Sequence, residues 1–225
     1  MHQLFDNLHI DINRNIYVKD PTTSDLGIRI VCESLQMIND QGLEAFTIGK
    51  LAKKIGTTES SVYRYFENKH KILIYLMSWY WGYLEYKVVF AMSNLSTDED
   101  RLLNALSAVM DSIEDDEMIN FLSLSILRDV VVSESAKAYL TKEVDESNRV
   151  GYYAGYKKLV GRLADLVTAI NPKFNYAHAL ISTVIEGFHH QLHFAGHLPA
   201  LTDTPEGISG LRSFYLSLVL NTTKP

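Results

Sequence analysis

Apolar residues recur at helical spacing along most of the chain. Leu26, Ile30, Val31, Leu35 and Ile38 mark one face of a first helix. Asp20-Pro21 closes the segment before it, Thr23 or Ser24 can cap its start, and Gly42 can end it. Thr47 then opens a short helix, IGKLAKKI, which Gly56 ends. Thr58 opens a third, ESSVYRYF, and Asn68 a long aromatic fourth that runs to about Met92. Beyond the polar loop SNLSTDED, helices are expected near 98–114, 117–131, 134–169, 174–197 and 205–221, with Pro172, Pro199 and Pro205 punctuating the last three. Only IDINRNIYV, within the first 22 residues, alternates like a strand. The pattern predicts an all-α fold: an arm over 1–22, a three-helix domain over 23–70 and a helical body over 71–225.

Composition narrows the class. At 225 residues and 47% hydrophobic, the chain can bury a large core without staples. One cysteine, Cys32, excludes an internal disulfide and a four-cysteine zinc site. It reads as a buried thiol in a reducing, cytoplasmic protein. The start lacks a basic region followed by an apolar run, so no signal peptide is expected. The most apolar stretch, 72–84, is 13 residues long, short of the ~20 needed to span a bilayer. No membrane partner is expected.

Charge matters by region. The net charge is −6, yet residues 46–72 carry six Lys/Arg against Glu59 and Glu67, a local +4. A basic island in an acidic chain suggests a nucleic-acid-binding module joined to something else. The island contains two short helices joined by Gly56-Thr57-Thr58, the helix-turn-helix arrangement whose second helix enters the major groove. Leu51, Ala52, Ile55, Val62 and Phe66 can close a small core against Leu35, Ile38 and Phe46. That leaves Glu59, Ser60, Ser61, Tyr63, Arg64 and Tyr65 outside, where polar groups reach bases or phosphates. Thr47 and Thr58 stand at helix N-termini and Lys69 begins the next helix, all placed for phosphate.

The stretch GLEAFTIGKLAKKIGTTESSVYRYFENKHKIL resembles the DNA-binding domain of tetracycline-repressor-type (TetR family) regulators. The resemblance covers about residues 24–80. It includes the glycine after the first helix, the threonine opening the second, Leu-Ala within it, Tyr-x-x-Phe closing the third and the Asn-Lys step. It implies a homodimeric transcription regulator, usually a repressor, that binds a double-stranded DNA operator and answers a small-molecule effector. By position, Thr47, Lys50 and Lys69 would touch phosphate, and Glu59, Ser60, Ser61 and Arg64 would face bases. Tyr63 and Tyr65 would grip the backbone, while Lys53 and Lys54 would add field. The chain departs from the family pattern at Glu59, at Tyr65 in place of a commoner histidine, and in its long arm, which is expected to pack on the body.

The body is read as a C-terminal helical ligand-binding and dimerisation domain. The last helix, GISGLRSFYLSLVLN, is apolar nearly all round and so needs cover on every side. With the helix before it, it predicts a four-helix two-fold interface using Leu180, Val184, Phe188, Leu192, Leu211, Tyr215 and Leu218. The fourth helix holds seven rings. Trp79, Tyr83 and Tyr86 share a face and, with Tyr152 and Tyr156, are the candidate pocket for an apolar or aromatic effector; Tyr153 could join them.

Other chemistry is sparse. His189, His193 and His197 share a helix face, and His190 pairs with Glu186, spacings that can hold a metal; an interface or core cluster is the simpler reading, so no metal or cofactor is expected. The strings Glu67–His70 and Glu186–His189 lack the inward carboxylates of a di-iron site. GxGxxG, P-loop, GxSxG and HExxH motifs are absent, and no enzyme is expected. GYYAG at 151–155 reads as a close helix crossing, and the acids Asp111 and 114–117 as a solvated turn. The alternative function is a helical lipid- or small-molecule-binding protein with a vestigial helix-turn-helix.

Overall fold

The computed structural model describes residues 10–111, 118–204 and 206–224. Within them the chain forms ten α-helices and one short hairpin. α1 (Asp25–Ala45) starts where the Ser24 hydroxyl accepts from the Gly27 N–H, and leaves helical geometry at Gly42, whose φ is +75°. Thr47 caps α2 (Ile48–Lys54) by accepting from Lys50 N–H, and Thr58 caps α3 (Glu59–Tyr63) by accepting from Ser61 N–H. Gly56, at φ +66°, makes the turn between them, a left-handed conformation that suits a residue without Cβ. Asn68 accepts from Lys71 N–H at the start of α4 (Lys69–Ala91). α5 (Asp98–Met110) follows a Thr97 cap and three acids in its first turn, which complement the helix dipole.

Two expected helices break up. The helix expected at 117–131 starts only at Leu124; before it lies an antiparallel hairpin, β1 (Met118–Ile119) and β2 (Leu122–Ser123). Asn120, at φ +52°, turns that hairpin, and Ser123 caps α6 (Leu124–Tyr139). The single helix expected over 134–169 is instead the end of α6, then α7 (Val144–Arg149) and α8 (Ala154–Ile170). The break before α8 is at Gly151, whose φ of +84° no helix accommodates. α9 (Ala177–His197) and α10 (Gly207–Thr223) complete the chain. The acids at 114–117 lie outside the described residues, as do residues 1–9 of the arm.

The alternating segment in the arm is not a strand. Ile10 and Ile12 turn inward but have no strand partner, and Asn13 then caps a 3-10 turn over Arg14–Ile16. Its side-chain amide donates to the Val150 carbonyl at 2.8 Å. A Cβ on Gly82 would stand 2.4 Å from Ile10 Cγ2, so the arm crosses α4 at a bare backbone.

Contacts divide the chain into two units, one of Met1–Gly82 with Ile113–Ala154, the other of Tyr83–Ser112 with Gly155–Pro225. The first is built round α1, whose Ile30, Val31, Leu35 and Ile38 are buried, as are Leu51, Val62 and Phe66 of the helix-turn-helix. Cys32 is half-buried in it and donates to the Phe121 carbonyl at 3.2 Å. In the second, α5, α8, α9 and α10 pack Leu106, Leu163, Ile185 and Val219 inward. Its buried Glu85 accepts from Arg162 Nε and Nη2 at 3.0 and 2.6 Å, with Lys158 at 3.4 Å. That charge-assisted pair joins α4 to α8 and raises the Arg162 pKa.

Gly27 is the tightest point of the first unit. A Cβ there would lie 2.2 Å from the Pro21 carbonyl oxygen, which is backbone and cannot swing away. Gly27→Ala is therefore expected to lower stability by about 2 kcal/mol in urea unfolding and to speed amide exchange over residues 16–24. Wild-type exchange there would show that the arm is not held by this contact.

Candidate nucleic-acid interface

α2 and α3 present their polar residues outward because the apolar ones close on α1. Thr47, Lys50, Lys53 and Lys54 on α2 are exposed, as are Thr58, Glu59, Ser60, Tyr63 and Arg64 at α3; Ser61 is half-buried. The Thr58 hydroxyl, which accepts from Ser61 N–H, also lies 2.9 Å from both Ser60 Oγ and Ser61 Oγ, so one side-chain network sits at the first turn. Lys50 Nζ donates to the Ala45 carbonyl at 2.7 Å, which holds its charge beside the start of α2. The Glu59 carboxylate leans back on α2: a Cβ on Gly49 would be 2.9 Å from its Oε1. There it faces the positive end of the α2 dipole, so its charge is partly balanced inside the protein.

Two expected contact residues are occupied elsewhere. Tyr65 is not outside; it is 5% exposed. Its hydroxyl lies 2.8 Å from Ser24 Oγ and 3.4 Å from Lys19 Nζ, and Val18 N–H donates to its carbonyl at 2.8 Å. The Ser24 hydrogen bond, with help from Lys19, holds this phenol below its ordinary pKa. α3 ends at Tyr63, so Tyr65 falls in the turn after it and swings inward to the arm. Lys69 is half-buried, and its ammonium donates to the carbonyls of Leu43, Glu44 and Phe46 at 2.8, 3.2 and 3.3 Å. It serves the carboxyl end of α1, where carbonyls lack helical partners.

Sequence reasoning missed Arg29, whose Nη2 donates to the Ile55 carbonyl at the end of α2. It also missed Lys71, bonded to the Tyr152 hydroxyl and the Asn15 carbonyl, and Glu134, which accepts from Leu43 N–H at 3.3 Å. Each partner lies 26 or more residues away, and no local spacing signals it.

With this geometry in view, residues 30–76 match the profile of the family described as bacterial regulatory proteins, tetR family. Residues 30–76 thus carry a TetR-family DNA-binding domain. That domain marks the chain as a DNA-binding transcription regulator. Solved structures agree on the fold. A TetR-family regulatory protein from Rhodococcus RHA1 superposes with a TM-score of 0.61 at 15% identity, over 89% of this chain and 98% of that one. The fatty acid degradation regulator FadR from Bacillus halodurans gives 0.59 at 18%, over 85% and 93%. AibR, solved with isovaleryl coenzyme A and operator DNA, gives 0.56 at 15%, over 84% and 95%. No curated protein sequence matches significantly.

The five aromatic pocket residues do not come together in one described cavity. Trp79 lines a cavity in the first unit; Tyr83 is packed in the core, and Tyr86 is exposed. The Tyr152 hydroxyl bonds Asn15 and Lys71, and that of Tyr156 donates to Glu186 Oε1 at 2.7 Å. Tyr153 instead donates to the Ala138 carbonyl. Rings spaced for one helix face are shared out among separate cores because α4 is apolar on every side. Of the interface residues, Val184, Phe188, Leu211 and Tyr215 are buried within the subunit, Phe188 and Tyr215 against each other at 6.0 Å between centroids. A Cβ on Gly187 would meet the Tyr215 hydroxyl at 2.7 Å, so glycine lets α9 and α10 close. Leu180 and Leu192 are half-buried and Leu218 is exposed. His189 is buried, whereas the His193 and His197 rings sit 4.4 Å apart near the surface.

Lys69→Met should cost about 1–2 kcal/mol of stability, because three carbonyls lose a charged donor. Unchanged unfolding with weakened DNA binding would instead assign Lys69 to phosphate. His70 is half-buried, its Nε2 lacks a hydrogen-bond partner, and burial pushes its pKa below 6.5. Its neutral form favours the fold above pH 6.5; as pH falls through its folded pKa that advantage is lost, since the unfolded ring binds the proton first. Wild type should therefore lose more stability than His70→Gln between pH 7.5 and 5.5, by at most about 1.4 kcal/mol per pH unit. Parallel profiles in urea unfolding would contradict this.

Proposed function

We propose that this regulator is a cytoplasmic, ligand-responsive repressor that binds a palindromic operator as a homodimer. The observation that carries the reading is the exposed α3 face, Glu59, Ser60, Tyr63 and Arg64, beside the capped helix starts at Thr47 and Thr58. Arg64 and Ser60 are assigned to base edges, Tyr63, Thr47, Thr58 and Lys50 to phosphates, and Ser61 to holding the first turn of α3. Lys53 and Lys54 add a positive field. Residues 23–70 form the DNA head; residues 71–225 carry the effector and dimer functions.

α10 supports the dimer. Its Leu211, Tyr215 and Val219 are buried on α9, while Phe214 is 57% and Leu218 39% exposed on the other side. With Ile208, Leu201 and Leu198 also exposed, these residues make an apolar face of the kind a symmetric partner covers. An apolar or aromatic effector would favour a dimer shape that cannot span both half-sites. AibR, which shares the fold, was solved with both an acyl thioester and operator DNA, a precedent for one chain holding both kinds of ligand.

The test is selection of genomic fragments by purified protein at two salt concentrations. A two-fold symmetric site should emerge, and its affinity should fall steeply with salt as counterions return to the phosphates. Arg64→Ala should weaken it about tenfold or more, the scale of one lost base contact. Recovery of no fragment by folded protein would sink the operator claim. For assembly, Phe214→Asp/Leu218→Asp should sediment as a monomer at low micromolar concentration where wild type is a dimer; a dimeric double variant would place the interface elsewhere.

A further inference from the structure

The first unit contains a cavity of about 320 Å³, within the size range of small-molecule sites. It is walled by the arm, α1, α4 and the β1–β2 turn. Four of its residues form an unbroken aromatic row: Tyr17 meets Tyr75 at 6.1 Å, Tyr75 meets Trp79 at 6.4 Å, and Trp79 meets Phe121 at 5.6 Å, each edge to face. Trp79 is buried. The charged residues lining the cavity are Asp11, Asp20 and Arg14. Two carboxylates against one guanidinium leave the lining net negative; burial raises the pKa of the Tyr17 and Tyr75 hydroxyls, the Asp20 charge adds to it, and Arg14 opposes it only at Tyr17.

An aromatic wall under a net negative field is the chemistry that recognises organic cations, through ring quadrupoles and long-range attraction without a tightly hydrated point charge. We propose that this cavity binds a small organic cation of the alkyl- or aryl-ammonium class, and that the arm carries the signal to the end of α3. The path is short. Asp11 and Tyr17 belong to the arm that walls the cavity, and the next residue, Val18, donates its N–H to the Tyr65 carbonyl. Lys19 lies over the Tyr65 ring at 5.1 Å. Arg64 precedes Tyr65 directly, so a shift of the arm is felt at the DNA-facing residue. The cavity binds its ligand whether or not the operator reading holds, and its test uses no DNA.

The probe is benzyltrimethylammonium, titrated calorimetrically into the full chain, with benzyl alcohol as the uncharged comparison and benzoate as the anionic one. Saturable binding of the cation is expected at millimolar concentration or below, with benzyl alcohol at least tenfold weaker and benzoate weaker still. Asp11→Asn/Asp20→Asn, which keeps the Asp20 cap as an asparagine cap, should weaken the cation at least tenfold. Ile28→Trp, which fills the cavity, should abolish binding; circular dichroism and the melting temperature check that each variant is folded. Absence of saturable cation binding, equal affinity for benzoate, or wild-type affinity in both folded variants overturns the site. Hydrogen exchange at the Val18 amide should slow when the cation is bound. An unchanged rate overturns the route through the arm.

Discussion

The end of α1 is where the DNA head is held together. Gly42 leaves the helix at positive φ, and the carbonyls that follow have no helical partners. Lys69 supplies three of them from the start of α4, and Glu134 takes the Leu43 N–H from α6. Lys137 in turn pairs with Glu134 at 2.5 Å. Three helices far apart in sequence thus meet on one turn of backbone. The α2–α3 pair then packs on a post whose far end is fixed, and the direction of α3 follows.

The opposite end of the head is fixed by Tyr65. Its hydroxyl reaches the residue that caps α1, and its carbonyl reaches the arm. The long arm is therefore structural: it ties the start of α1 to the end of α3 and runs on to Val150. With Tyr65 turned inward, Tyr63 and Arg64 are left as the large side chains facing outward at the end of α3. Glu59 has a comparable double aspect, since its lean on Gly49 moves its charge toward the α2 dipole.

The second unit solves a different problem. Packed helices with long apolar faces need one fixed register, and Glu85 with Arg162 gives the end of α4 and α8 a polar one inside an apolar packing. α10 buries one side and leaves Phe214 and Leu218 outside. Arg212 pairs with Asp111 at 2.8 Å, and Lys87 reaches the same carboxylate at 3.6 Å, so charge links α10 and α4 at the end of α5.

Local chemistry in the sequence determined the head almost completely. Ser24, Thr47, Thr58 and Asn68 cap helices within three residues of themselves, and Gly42 and Gly56 adopt the positive φ that ends or turns them, so a short window suffices to read them. The all-α class and the four-helix start were legible for that reason, as was the exposure of Lys50, Ser60, Tyr63 and Arg64. The breaks at 118–123 and 151 were not, because Leu122 and Leu124 fit a helical face as well as a hairpin, and Gly151 resembles a helix-crossing glycine. Only the tertiary structure decided that Tyr65 turns inward to Ser24 and the arm, that Lys69 serves the protein's own backbone, that Val184, Phe188, Leu211 and Tyr215 fill the subunit's core, and that the rings of α4 are divided among separate cores. Each of those outcomes depends on partners tens of residues away, and on which of several apolar sides is covered first. A helix that is apolar all round carries no record of that choice in its own spacing.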